Sequence, residues 1–199
     1  GDATRLWDAL AAVPRPRGVR PIGSRALNLA RIEAGFLAPN VDFVPAEHAL
    51  RVGRTRSPFE LGLDWLVDFS KGHFTGRRAL LAERRRGPRR RLVGLDIEGN
   101  KPAHNALLYA EHAGRHEIGS VTSAMWSPTC KRNIALAMVD APHFEVGSTV
   151  WADVYLNREL VWERRMCRAR VVEKPFFAPE RRRATPPARR LTASCPMRI

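Results

Sequence analysis

Apolar residues recur at helical spacing near the start of the chain and alternate with polar ones over its second half. Leu6, Leu10 and Val13, with Trp7 beside them, predict a short helix over residues 2–13 that Asp2 or Thr4 can cap. The prolines and glycine of residues 14–18 end it. Residues 25–36 fit neither period cleanly and read as strand or helix. Residues 37–60, studded with proline and charge, predict loop with a short element near 46–50. Residues 61–69 alternate roughly as a strand, and 75–85 read as a helix with Thr75 as a candidate cap.

Past an arginine run at positions 84–91, interrupted by Gly87-Pro88, strand patterns dominate. They fall at 91–97, 106–109, 117–125, 134–139, 149–155, 159–162 and 168–173, with a hairpin turn expected at Asn157-Arg158. Runs this short, separated by turn residues, predict a small antiparallel barrel or sandwich. The fold class is therefore α+β. Its expected divisions are residues 1–88, then a β-domain over 89–177, then a basic, disordered tail over 178–199.

The formal charge of +14 is concentrated rather than spread. Arg84, Arg85, Arg86, Arg89, Arg90 and Arg91 form one group, and Arg181, Arg182, Arg183, Arg189, Arg190 and Arg198 form another. Neither group contains an aromatic side chain, so they read as a solvated linker and tail before a nucleic-acid surface. Cys130, Cys167 and Cys195 are widely spaced and odd in number, which supports neither a disulfide framework nor a zinc site. A reducing cytoplasm is the expected location. No apolar run approaches the roughly 20 residues that span a membrane. The Gly-Asp start reads as the cut edge of a longer polypeptide.

Three segments carry candidate chemistry. Glu33, in the apolar string Ala26–Phe36 around Arg31, needs a partner because a lone buried carboxylate is too costly. It pairs either with Arg31 or another arginine, or with the paired N–H donors of an amidine-like edge such as that of a pterin. Lys71, between Ser70 and Gly72, can offer a cation to a ligand carboxylate or phosphate, or can simply sit in a turn before a helix. His73 has no partner at metal spacing and reads as a surface residue, so no metal site is expected. The hydroxyl-rich string "VTSAMWSPT" ending at Thr129 lacks a nucleophile-elbow pattern and reads as a strand entering a turn, its hydroxyls satisfying backbone. Trp65, Trp126, Trp151 and Trp162 are expected to pack in the core or at its rim.

Taken in order, the strings "ALNLARIEAG", "SPFELGLDW", "FTGRRAL", "RRLVGL", "GSVTSAMWS", "NIALAMV" and "VVEKPF" resemble the aminomethyltransferase superfamily, whose type member is the glycine cleavage T-protein. The resemblance covers most of residues 1–178 and includes the family's folate-dependent demethylases. It implies tetrahydrofolate as cofactor and transfer of a one-carbon unit from a small-molecule donor. It also implies residues 1–88 as the end of a folate-binding lobe and 89–177 as the C-terminal barrel. Glu33 falls on the family's "R-x-E-A-G" glutamate, which binds the pterin ring. Lys71 lies near a folate-contacting arginine of the T-protein, and Arg181 or Arg182 is the nearest equivalent of a ligand-contacting residue that follows the family's "P-F". The family's catalytic aspartate belongs to an N-terminal half that this chain lacks, so no residue here inherits that role and the chain alone is expected to be inactive. Trp126 stands where the T-protein often carries a small residue or proline, and the strings "LAPNVDF" (37–43) and "SPFELGLDWLVDFSKGHFTG" (57–76) resemble the demethylase branches more closely. A lipoyl carrier protein or a fused dehydrogenase domain are the partners implied; nucleic acid and membrane are not. The alternative is a non-catalytic, folate-binding regulatory or maturation protein of the same fold.

Overall fold

The computed structural model describes residues 2–13, 19–180 and 183–184. Six strands close into one antiparallel barrel in the order β1-β4-β3-β2-β5-β6. They are β1 (Arg90–Ile97), β2 (Leu107–Tyr109), β3 (Glu117–Ser127), β4 (Arg132–Asp140), β5 (Thr149–Arg158) and β6 (Val161–Val172). Three helices precede them: α1 (Asp2–Ala11), α2 (Ser24–Glu33) and α3 (Arg77–Arg86). Among the described residues, no helix is long and apolar enough to cross a membrane.

The barrel interior holds alternate residues of every strand, including Val93, Leu95, Val121, Ala135, Ala137, Val139, Val150, Val154 and Val171. Alanines on β4 let this small cylinder close, because the inward side chains of a six-stranded barrel have little room. β4 is buried on both faces. Its outward Ile134 and Leu136 receive Ile32 of α2, while Met138 and Leu92 receive Leu61. The pre-barrel segments thus cover the outside of β1 and β4. β1 closes on β6 with Leu95 opposite Val171.

The segment that reads as strand or helix is helical over Ser24–Glu33. Several other local expectations are corrected. Residues 61–69 form turns and a short 3-10 helix (Asp64–Leu66) rather than a strand. Their amides bond locally, as in Leu61 N–H to the Ser57 carbonyl and Leu63 N–H to that of Pro58. Leu61 and Leu63 are apolar because they roof Leu92 and Met138. α3 starts after Gly76 with no side-chain cap, so Thr75 does not cap it. The separate strands expected at 159–162 and 168–173 are one strand, β6. The turn lies at Glu159 and Leu160, both at positive φ (47° and 72°), while Asn157 and Arg158 belong to β5.

The arginine run is not a linker: it ends α3 and begins β1. Arg84 lies over the Phe69 ring at 5.4 Å, Arg90 pairs with Asp140 at 3.2 Å and Arg91 with Asp64 at 3.6 Å. Trp65 and Trp162 are largely exposed, at 75% and 66%, rather than packed in the core. Residues 181–182 and 185–199, most of the expected disordered tail together with Arg181 and Cys195, lie outside the described residues.

Candidate ligand-binding site

The string Arg31-Ile32-Glu33-Ala34-Gly35 ends α2, and its two charged side chains point to different partners. The helix stops in a Schellman turn. Phe36 N–H bonds to the Arg31 carbonyl (2.8 Å) and Gly35 N–H to that of Ile32 (2.8 Å). Gly35 takes φ +71°, and a Cβ there would stand 3.1 Å from the Lys174 Cβ, so glycine serves both the turn and the close approach of residues 174–175. The chain after β6 returns here, where Phe177 N–H bonds to the Glu33 carbonyl at 3.0 Å.

Glu33 does not pair with Arg31. Arg31 instead forms an ion pair with buried Asp42, and its Nη2 donates to Ser123 Oγ at 2.6 Å and its Nε to Asn28 Oδ1 at 2.8 Å. Asp42 is fully enclosed by donors. Besides Arg31 it accepts from Ala38 N–H (2.8 Å), Thr122 Oγ1 (2.7 Å) and Ser123 Oγ (2.6 Å). This cluster bolts α2 and the following loop to the outer face of β3. Asp42 carries no recognisable motif, and only the tertiary position of the β3 hydroxyls reveals its part.

With Arg31 engaged elsewhere, Glu33 meets only a neutral donor. Ser127 Oγ donates to Glu33 Oε1 at 2.5 Å and itself accepts Cys130 N–H at 2.9 Å. The hydroxyl therefore does satisfy backbone, as the sequence suggests, but it also fixes the carboxylate rotamer. No hydrogen bond reaches Oε2 from any described residue, and that atom is not among the fully buried ones. Glu33 is thus a largely buried carboxylate with one oxygen anchored and the other open to a donor pair.

The structure does not bring Lys71 to this carboxylate through any contact. Lys71 is exposed, with its Nζ 4.7 Å from the centre of the Phe74 ring. Phe74 belongs to a row in which Phe59 stacks on Phe69 at 6.5 Å and Phe69 tilts toward Phe74 at 6.2 Å. Cation–π contact holds the ammonium without neutralising it, so it keeps its capacity for an anion. His73 is exposed.

Lys174 was not anticipated from sequence. It is folded inward beside Gly62 and donates to the Leu92 carbonyl at 3.0 Å. Burial, aided by the positive charge of Arg91, lowers its pKa below the ordinary 10.5. Because the folded state disfavours the charged form, Lys174 destabilises the protein below its folded-state pKa, and that cost fades as pH rises toward 10.5. Chemical denaturation across the alkaline range should show stability rising from this residue, and Lys174→Met should remove that rise. An unchanged slope in the variant would refute the assignment.

The closed six-stranded antiparallel barrel is an architecture with known counterparts. Residues 90–178 match the glycine cleavage T-protein C-terminal barrel domain. The aminomethyltransferase of Caldanaerobacter subterraneus subsp. tengcongensis is 32% identical over 176 residues, covering 88% of this chain and 42% of that protein. The trimethylamine-oxide aldolase of Ruegeria pomeroyi is 39% identical over 150 residues, covering 74% and 18%. The crystal structure of the glycine cleavage system aminomethyltransferase T from Bartonella henselae superposes with a TM-score of 0.70 at 25% identity, covering 89% and 44%. The barrel of this chain is a glycine cleavage T-protein C-terminal barrel domain, and most of the chain is similar to part of the aminomethyltransferases. The chain spans less than half the length of these relatives.

Proposed function

We propose that this chain is the C-terminal portion of a tetrahydrofolate-dependent one-carbon transferase, and that Glu33 orients the pterin ring. The observation that carries this reading is the half-satisfied carboxylate. Ser127 fixes Oε1, while Oε2 and the remaining lone pair of Oε1 present a planar acceptor edge. A 2-amino-4-oxo ring edge offers the matching pair of N–H donors. When bound, tetrahydrofolate supplies the nitrogen that takes up the one-carbon unit. This chain's residues hold and orient that ligand, and much of the rate in such a transfer comes from orientation. Lys71, exposed on Phe74, suits the carboxylates of a glutamyl tail. Arg181 shares that assignment on the sequence resemblance alone. The catalytic aspartate that the resemblance implies, which positions the folate nitrogen and the amine for transfer, has no counterpart in this chain, and the donor we propose is a small methylated or aminomethyl compound.

Titration of the chain with tetrahydrofolate, followed calorimetrically, tests the reading. Glu33→Gln keeps the shape but turns an acceptor pair into one donor and one acceptor. It should weaken binding by about 1.5–3 kcal/mol, the usual worth of hydrogen bonds to a charged group. Ser127→Ala, which frees the rotamer, should weaken binding less. Equal affinity for the parent and Glu33→Gln proteins would exclude Glu33 as the pterin ligand.

A further inference from the structure

The first half of β6 has a neighbour on one side only. β5 pairs with it along its whole length, from Arg158 opposite Val161 to Thr149 opposite Arg170. β1 reaches only residues 169–172, with one further bond from Glu98 N–H to the Arg168 carbonyl at 2.8 Å. Val171 bonds through both its N–H and its carbonyl to residues 147–148, on the β5 side. Backbone groups alternate between the two edges of a strand, so those of Trp162, Arg164 and Met166 point to the open side. Among the described residues, no backbone bond joins them to another segment there. The edge carries no proline and no glycine, and Val161 and Trp162 on it are each 66% exposed. An edge of this length is a template for another strand unless something covers it.

The residue order along the edge selects the occupant. In a two-fold antiparallel pairing, opposed side chains share a face, so the axis passes through a residue. An axis at Glu163 would oppose two glutamates, and one at Arg165 would oppose two arginines while setting Glu163 against Cys167 and Arg164 against Met166. An axis at Arg164 places Glu163 opposite Arg165 twice, Trp162 opposite Met166 twice and Val161 opposite Cys167 twice. Opposite charges then face each other and apolar groups face apolar groups, with the thioether against the indole. The one like-charged pair is Arg164 with its copy. Each Arg164 already holds its own Asp153, through Nε at 2.9 and 3.0 Å from the two carboxylate oxygens. Glu163 and Arg165 already pair within one chain at 3.1 Å, so the second copy would extend that pair into a four-charge alternation.

We propose that the chain associates with a second copy of itself by antiparallel pairing of β6 about Arg164, which would make one continuous sheet across the two barrels. Sedimentation of the whole chain over a concentration series should show a reversible dimer. Glu163→Arg and Arg165→Glu should each weaken it by at least about tenfold, because like charges then face each other across the junction. An equimolar mixture of the two variants should form a heterodimer, since the substituted positions then have opposite signs across the junction. Met166→Pro removes an edge donor while leaving the bonds to β5 intact, and should give a folded monomer by circular dichroism. A strictly monomeric parent chain, or a dimer that withstands all three substitutions, would overturn the proposal.

Discussion

Asp42→Ala should destabilise the protein by about 3–5 kcal/mol, the usual cost of removing one partner from a buried ion pair. The carboxylate is wholly buried, and its loss leaves the Arg31 guanidinium without its counter-charge and the Ala38 N–H and Ser123 hydroxyl without their acceptor, while Thr122 keeps the Leu136 carbonyl. Losses of this size approach the whole stability of many domains, about 5–15 kcal/mol. Urea denaturation of the variant should therefore show either a much lower midpoint or separate melting of the α2 region from the barrel. Asp42→Asn, which retains the shape and an acceptor oxygen, should fall between the two. If Asp42→Ala unfolds with the parent's midpoint, the cluster is not what fastens α2 to β3. Glu33 depends on that fastening, since its carboxylate meets Ser127 only while α2 lies against the barrel.

Gly119→Ala is expected to be comparably severe for a different reason. Gly119 lies where β3 pairs with both β2 and β4, opposite Leu108 and Val139. A Cβ there would fall 2.0 Å from the Met138 carbonyl oxygen, an atom fixed in the neighbouring strand. The φ of +153° adds backbone strain. Steric overlap and strain together should cost about 2–6 kcal/mol, and the barrel cannot relieve the overlap without opening the β3–β4 seam. Gly99→Ala is the informative control, because nothing lies within 4 Å of its Cβ position. At φ +91° it carries backbone strain alone, about 1–3 kcal/mol, without the overlap. Equal melting temperatures for the two variants would show that the contact at Gly119 is tolerated.

The barrel was legible because its core obeys a period of two that survives without tertiary knowledge: Val93, Leu95 and Ile97 on β1, or Ala135, Ala137 and Val139 on β4. β6 escaped that reading because its outward positions are Trp162, Arg164, Met166, Arg168 and Arg170, and the arginines beside Arg165 look like a loop. Leu61 and Leu63 misled in the opposite sense. They alternate like strand residues but are apolar because they roof Leu92 and Met138. At the site, Glu33 stood out because a carboxylate among apolar neighbours is costly anywhere. Which group meets it did not, because Ser127 is 94 positions away and Arg31, two residues off, is claimed by Asp42. The resemblance to T-proteins pointed to Glu33 without revealing how it is held.

The closure of β1 on β6 also has a temporal consequence. The strand that opens the barrel must wait for the strand that finishes it, so Leu95 cannot meet Val171 until nearly the whole barrel sequence has left the ribosome. Until then β1 has only β4 as a neighbour, and the inner cluster stays open to water on one side. Non-local pairing of this kind slows folding and prolongs the exposure of unpaired strands. During synthesis, α2 can dock against Ile134 and Leu136 before the cylinder is sealed, and Phe177 can reach the Glu33 carbonyl only afterwards. The backbone at the end of α2 is then among the last parts of the molecule to be tied down.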